Sequence, residues 1–282
     1  MAGLKVNRDE ANDAVSIYAS DEEVNSAVEE NDTVYFKVRF NFVNGHKGFR
    51  PGEFHLFFGT AGSGKTTLMR GIMSDCAVNQ RVLLWQSEEN RRDLMITTAK
   101  QKLSPEIRKN ISIISEADMK PELLSNVKAY QAYYEKQITL IKPGIVIFDN
   151  LTTSVIYEGL NPTQQFLFFN WLQKFHKRIK IPILAVGHTK AGVFDGQPHL
   201  VDLDDIRGSK SVPNGAPYVY IFQRFKVGGE YFAFIRVRKS RFHQHEGFFH
   251  LTYDKTKNTY LGDAKINFEE FKLNFNKREK LV

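Results

Sequence analysis

The chain has 282 residues, 42% of them apolar and including 23 Phe and 11 Tyr, enough to fill a core in one large domain or two small ones. Thirty-nine Lys and Arg against 32 Asp and Glu leave a net charge of +7 and a pI near 9.3, which suits a polyanionic partner or a basic solvated surface. A single cysteine, Cys76, excludes an internal disulfide and any cysteine-cluster metal site, and no apolar run reaches a membrane span, so a soluble cytoplasmic protein without a membrane partner is expected.

Residues 8–31 are polar and acidic, with a capping-box pattern at Ser20–Glu23 ("SDEE") ahead of "VNSAV". They read as short helices with too little apolar surface for a core of their own. "TVYFKVRFNF" (Thr33–Phe42) alternates as a strand does. From Gly48 onward, short apolar runs ("EFHLFFG", "RVLLWQS", "NISIISE", "GIVIFDN", "IPILAVG") are separated by helical stretches. Nearly continuous apolar strands imply a parallel sheet buried on both faces by helices. Cys76 falls on the first of those helices, where it suits a small buried apolar residue.

After Gly187 a polar segment (188–215) leads into "PYVYIFQRF", "YFAFIRVRKS" and "GFFHLTYD", three strands that read as antiparallel. The tail "INFEEFKLNFNKREKLV" places Phe268, Phe271 and Phe275 on one helical face, to pack on its own domain or dock on a partner. The fold class is thus α/β, mostly parallel, with antiparallel strands at the C-terminal edge. The expected division is an extension over 1–45, one domain over 46–262 and a tail over 263–282.

"GTAGSGKTT" is the most informative stretch. Gly59-x4-Gly64-Lys65-Thr66 lies between a predicted strand and a predicted helix, the context in which such a loop cradles phosphates. Glycines let successive backbone N–H groups turn inward, and the helix N-terminus adds its positive end. Lys65 neutralises β/γ oxygens, and the Thr66 hydroxyl can ligate Mg²⁺. The nucleotide contacts are assigned to Gly59, Ala61, Gly62, Ser63, Gly64, Lys65, Thr66 and Thr67.

Asp149, at the carboxyl end of "GIVIFDN", is placed where such sheets bind ligands and can hold Mg²⁺ through its water shell. Many ATPases put the water-activating acid directly after it, but here that position is Asn150. Glu88 and Glu89, after "RVLLWQS", are the other candidates, with Glu88 preferred as the base. Acids opening a helix are the plainer account of both. His188 ends "ILAVGH" and suits a sensor of the γ-phosphate. Lys239 and Arg241, two residues apart at a strand end, suit either a solvated edge or insertion into a neighbouring subunit's nucleotide site.

Together these residues resemble the hexameric replicative DNA helicases, the DnaB-type and phage ring helicases with a RecA-like motor, over about Gly48 to Tyr260. "GFRPGEFHLFFGTAGSGKTT" resembles that family's phosphate-loop entry, and "LLWQSEE" resembles the strand ending in its catalytic glutamate. "VGHTK" is similar to its sensor, "DLDDIRGSKSVPNGAPYVYIFQR" to its D-L-R-G-S-G segment, and "RKSRFHQHEGFFHLTYD" to the element supplying trans-acting Lys and Arg. The resemblance implies a RecA-like P-loop NTPase fold, ATP and Mg²⁺, and an adenine sandwiched by Arg224 and Tyr253. It implies that Lys190, Arg207, Gly208 and Lys210 line a central channel and hold single-stranded DNA. Lys210 departs from the family's usual second glycine. The primase or primase-docking domain ahead of many family motors is absent from this sequence.

The expected activity is therefore an ATP hydrolase of helicase type. It forms a ring, a hexamer in this family, with a primase or loader as further partner and a phage, plasmid or mobile-element origin in a bacterial host. A short helix in the first 45 residues is expected to dock on the next subunit. Two rivals stand beside this reading: a filament-forming RecA-like recombination ATPase, and a nucleotide-switched regulatory ATPase that binds protein.

Overall fold

The five apolar runs form five parallel strands in the computed structural model, which describes residues 35–189, 200–227, 230–267 and 269–270. These are β1 (Phe54–Gly59), β2 (Val82–Gln86), β3 (Ile111–Ser115), β4 (Ile145–Asp149) and β5 (Ile183–His188). Four more follow, β6 (Tyr218–Val227), β7 (Glu230–Ser240), β8 (Gly247–Asp254) and β9 (Thr259–Ile266), in one sheet of order β3-β2-β4-β5-β1-β6-β7-β8-β9. β6 runs parallel to β1, and antiparallel pairing begins only between β6 and β7. Three antiparallel strands were expected; β9 is a fourth.

Helices cover both faces, as the continuous apolar strands require. α1 (Lys65–Cys76) buries Leu68, Met69, Ile72 and Met73 in a core with Phe57, Ile145 and Ile147, joined by Leu94 of α2 (Arg91–Lys100). On the other face α3 (Val127–Ile141) and α4 (Pro162–Ile179) bury Tyr130, Tyr134, Phe168 and Phe169 with Phe54, Leu56, Val146 and Phe148. Alternate residues of β1 and β4 thus feed opposite cores, and each fully buried large apolar side chain contributes roughly 1.5–3 kcal/mol. Local chemistry sets the helix ends. Asn161 and Gln164 form a reciprocal capping box at α4, with Pro162 in its first turn, and Asn126 caps α3. Cys76 is buried, and burial pushes its thiol up to about 12.

The stretch read as a strand over Thr33–Phe42 is not one among its described residues. Phe36 makes a single antiparallel bridge to Phe49, and Asn41–Asn44 is a short helix. Side chains take the backbone groups a ladder would need: Asn44 Oδ1 accepts from Val38 N, and Asp263 accepts from Asn41 N and Phe42 N. The alternation was real as burial, since Val38, Phe40 and Phe42 point into the first core. The folded body accordingly takes in residues from Tyr35, and β9 continues to Ile266, so boundaries at 46 and 262 fall inside it. The extension's predicted docking helix, the Ser20–Glu23 cap and the tail face of Phe268, Phe271 and Phe275 lie outside the described residues. Among the described residues no helix is long and apolar enough to cross a membrane.

Candidate nucleotide site

The carboxyl ends of β1, β2, β4 and β5 converge on the predicted loop. Parallel registry sets Gly59 beside His188 and Gln86 beside Asp149, so Asp149 and His188, the last residues of β4 and β5, and Glu88, two residues past β2, arrive at one place. Gly59 is required sterically, because a Cβ there would lie 2.4 Å from the carbonyl oxygen of Phe222 on β6. Gly64, immediately before α1, sits at φ 105, a left-handed conformation that turns the chain into the helix.

Lys65 is 6% exposed, and its three ammonium protons are all committed. Nζ donates to Gly59 O at 3.0 Å and to Thr60 O at 2.8 Å, and lies 3.2 Å from His188 Nδ1. Burial, with the Arg207 charge, pulls its pKa down to about 8, against the opposing pull of Asp149 and Glu88. Lysine has only protons to give, so His188 Nδ1 accepts and Nε2 carries the ring proton, which it donates to Glu88 Oε1 at 3.1 Å. His188 therefore bridges the loop lysine and the candidate base.

Glu88 Oε1 also accepts from Asn150 Nδ2 at 3.2 Å and from Thr153 Oγ1 at 2.9 Å. The His188 hydrogen bond, opposed by partial burial and aided by Thr153, holds its carboxyl below the usual range. It is thus ionised at neutral pH, as a base must be. Glu89 points elsewhere: Arg70 on α1 donates to both its oxygens, at 2.8 and 3.0 Å. The two adjacent acids, alike in chemistry, take different partners in the fold.

Asp149 is 2% exposed, and burial raises its pKa to about 6, restrained by a hydrogen bond from the Thr66 side chain. Thr66 and Asp149 are thereby brought together as hard oxygen donors at the head of α1. Asn150 joins the floor, its Oδ1 accepting from Thr152 N and Oγ1, while Thr152 Oγ1 accepts from His188 N at 2.9 Å. Among the described residues no group of three or more His, Cys, Asp or Glu is placed to hold a metal ion. Mg²⁺ needs none, since it is usually held by one or two protein oxygens with phosphate oxygens and water. The donor set fits that ion, and the buried, unpartnered hydroxyl of Ser63 in the loop fits an incoming phosphate.

The other predicted residues divide by place. Arg224 Nη2 donates to Gly62 O at 2.8 Å, and both Arg224 and Tyr253 act electrostatically on Tyr260. Tyr253 is 43% exposed and its hydroxyl donates to Asn258 Oδ1, while its ring lies 5.3 Å from that of Tyr260. Tyr260, on the unpredicted β9, would stand 3.1 Å from a Cβ at Gly64, so its hydroxyl roofs the loop.

Arg207 is tied in by its backbone N–H to His188 O at 3.0 Å, beside the Thr189–Ile206 bridge. Gly208 and Ser209 meet the Gln165 side chain. Lys210 is outside the cluster, paired with Asp204 on the surface at 3.1 Å, and Lys190 lies outside the described residues. Asp202, missed in the sequence, accepts from Arg238 at 2.8 Å and Arg236 at 3.3 Å and so fastens this segment to β7.

Lys239 and Arg241 are not at this site. Tyr218 pairs with both His55 and Ser240, which places the pair level with the amino end of β1, four residues or about 13 Å from Gly59 at strand rise. Lys239 Nζ donates to Asn214 O at 2.7 Å, and burial with the nearby Arg241 lowers its pKa.

No family model matches this sequence, and no curated protein sequence does either. Among solved structures the chain is similar to a KaiC-like protein, PH0186, from the hyperthermophilic archaeon Pyrococcus horikoshii OT3. The TM-score is 0.61 at 16% identity, covering 81% of this chain and 96% of that one. The likeness establishes the shared fold, an α/β architecture on a mostly parallel sheet. The chemistry rests on the side chains just described.

Proposed function

We propose that this chain is an ATP-hydrolysing motor that works as a ring, a hexamer by resemblance, and draws single-stranded DNA through its centre as a replicative helicase. The observation that carries the proposal is the continuous contact Lys65–His188–Glu88, with Thr66 on Asp149 beside it and the Arg207 segment bonded to the His188 carbonyl. On this reading the loop amides and Lys65 bind the phosphates, and Thr66 and Asp149 would hold Mg²⁺. When bound, that ion offsets phosphate charge. Glu88 takes the proton of the attacking water as the new oxygen–phosphorus bond forms and the bond to the bridging oxygen breaks. An arriving γ-phosphate draws Lys65 away from His188 Nδ1, and the freed imidazole passes that change to the backbone at Arg207. Arg224 and Tyr253 stack on the base, and Arg207, Gly208, Lys210 and Lys190 face the strand. Lys239 and Arg241, too far from their own loop, serve a neighbour's.

On a second reading, a nucleotide-switched regulatory ATPase that binds protein, Lys210 stays in its exposed pair with Asp204 and meets no strand. ATP turnover measured with and without single-stranded DNA, alongside unwinding of a forked duplex and mass with and without ATP, separates the two. Stimulation by DNA that fades steeply with salt, as about 0.7 counterion is released per phosphate contact, supports the motor. Turnover indifferent to DNA and no unwinding support the second reading.

A further inference from the structure

Glu116 is a buried carboxylate with no assigned role in hydrolysis. It follows β3 at the same end of the sheet as the nucleotide site and is 1% exposed. Its donors are all neutral: Tyr130 Oη and Ser154 Oγ (2.8 Å) on Oε1, with Trp85 Nε1 at 3.4 Å, and the backbone N–H of Val155 on Oε2 at 3.1 Å. A buried carboxylate without a cation is costly, and an apolar residue of like size would fill the space as well or better. What the charge uniquely does is accept on both oxygens at once, and that pins Ser154 and Val155. The residues just before them are Asn150, Thr152 and Thr153, which hold Glu88 Oε1 and the His188 backbone.

We infer that Glu116 is a positioning residue for hydrolysis. It anchors the Asn150–Val155 segment so that Asn150 and Thr153 present Glu88 to the attacking water. The inference rests on the proposed role of Glu88 as base. Glutamine is the informative substitution. Its amide nitrogen, placed at Oε2, meets the fixed Val155 N–H, donor against donor; placed at Oε1, it forces the Ser154 hydroxyl, and Tyr130 Oη that already accepts from Trp85 Nε1 at 2.7 Å, to turn from donating to accepting. Either way the charge-assisted bonds that hold the segment are replaced by weaker neutral ones, with volume unchanged.

The experiment is steady-state ATP turnover and nucleotide affinity of the full chain for wild type, Glu116→Gln, Thr153→Val and the double variant, each also across pH. Glu116→Gln should lower kcat between about tenfold and a hundredfold, the range that displacing a catalytic group by ~1 Å brings, with nucleotide affinity within about twofold. Because Thr153 helps hold the Glu88 carboxyl down, the acid limb of the kcat profile should move to higher pH in Glu116→Gln and in Thr153→Val alike. The double variant should be no worse than the poorer single one.

A normal kcat with lowered thermal stability, or strictly multiplicative losses, would overturn the inference and leave Glu116 a packing residue. Should Glu116→Gln fail to fold, Ser154→Ala, which removes one donor and keeps the charge, must shift kcat and acid limb in the same direction. Glu88→Gln run in parallel separates the two levels. If it turns over like wild type, the base assignment fails; if it is dead while Glu116→Gln is normal, only this inference fails.

Discussion

Glu88 and Glu89 are neighbours of the same chemistry, so exchanging each for glutamine tests whether the fold has chosen between them. In Glu88→Gln the side-chain oxygen can still accept from Asn150, Thr153 and His188, so the floor of the site should keep its shape. What disappears is the basic oxygen that receives the proton. A positioned general base supplies about 10²–10⁴ in rate, or roughly 2.7–5.5 kcal/mol, and kcat should fall by that much while ATP affinity holds. Glu89→Gln instead weakens an ion pair to Arg70 whose carboxylate is 37% exposed. Exposed pairs contribute about 0–1 kcal/mol after solvent screening, so activity should stay within roughly fivefold of wild type. The assay is phosphate release at saturating ATP, with nucleotide affinity measured separately on each variant. Equal loss in both variants, or a greater loss in Glu89→Gln, would refute the assignment of the base.

Stability should fall in acid because His46, His55 and His176 are buried and neutral, with His46 held near 3 and His176 near 4 by burial and His55 well below its usual value. Their folded pKa values lie below the unfolded ones, so stability is complete above about 6.5 and lost as pH drops. At about pH 5.5 these rings are protonated in the unfolded chain but not in the folded one, and the lowered His243, His245 and His250 act the same way, while the raised Asp149, Glu53 and Asp263 oppose them, leaving a net loss on the order of a few kcal/mol as pH falls. Melting followed from pH 7 to 5 checks this, and a flat profile would contradict it. Arg241→Ala and Lys65→Ala should each be inactive alone yet recover turnover when mixed, with about a quarter of interfaces joining an intact pocket to an intact arginine by random pairing. Absence of recovery in a mixed assembly of confirmed composition counts against sharing. Arg224→Ala should raise KM for ATP about fivefold, the worth of ~1 kcal/mol of stacking, with kcat nearly unchanged. A loss confined to kcat would show that Arg224 does not hold the base.

How much of this was legible in the sequence depended on whether the physics was local. The five parallel strands were readable because burial on both faces forces unbroken apolar runs, and the loop because Gly59, Gly64, Lys65 and Thr66 fall within one stretch of eight residues. β9 was missed because "TYLGDAKI", beyond the last apolar run, is broken by Gly, Asp and Lys, and only Thr259 and Tyr260 of it are buried, as suits the outer strand of a sheet. The strand expected around Phe40 failed for a related reason: alternation reports which side chains are buried, whereas a ladder also needs a partner strand, and Asn44 and Asp263 took that place. Glu116 in "SEADMK" looks like an acid opening a helix, and only the approach of Trp85, Tyr130 and Ser154 from distant segments makes it a buried acceptor. Glu88 was preferred from the sequence, but the ion pair that turns Glu89 aside needed Arg70, nineteen residues before it, to be seen holding it.

The two ends of the sheet carry the strongest constraint on assembly. The phosphate loop leaves β1 at its carboxyl end, while Lys239 and Arg241 sit level with its amino end, packed near Glu53 and the Pro213–Asn214 carbonyls. If these cations serve a nucleotide site at all, they serve another copy's. A two-fold axis pairs one surface patch with itself, so completing both pockets of a dimer would require loop and cations within one patch. Their placement at opposite strand ends argues against that and for a head-to-tail contact repeated from copy to copy. Such a contact closes as a ring or continues as a helix, and neither stops at two. A symmetric dimer as the fully active, ATP-bound species would therefore count directly against the shared pocket, and with it against the proposed motor.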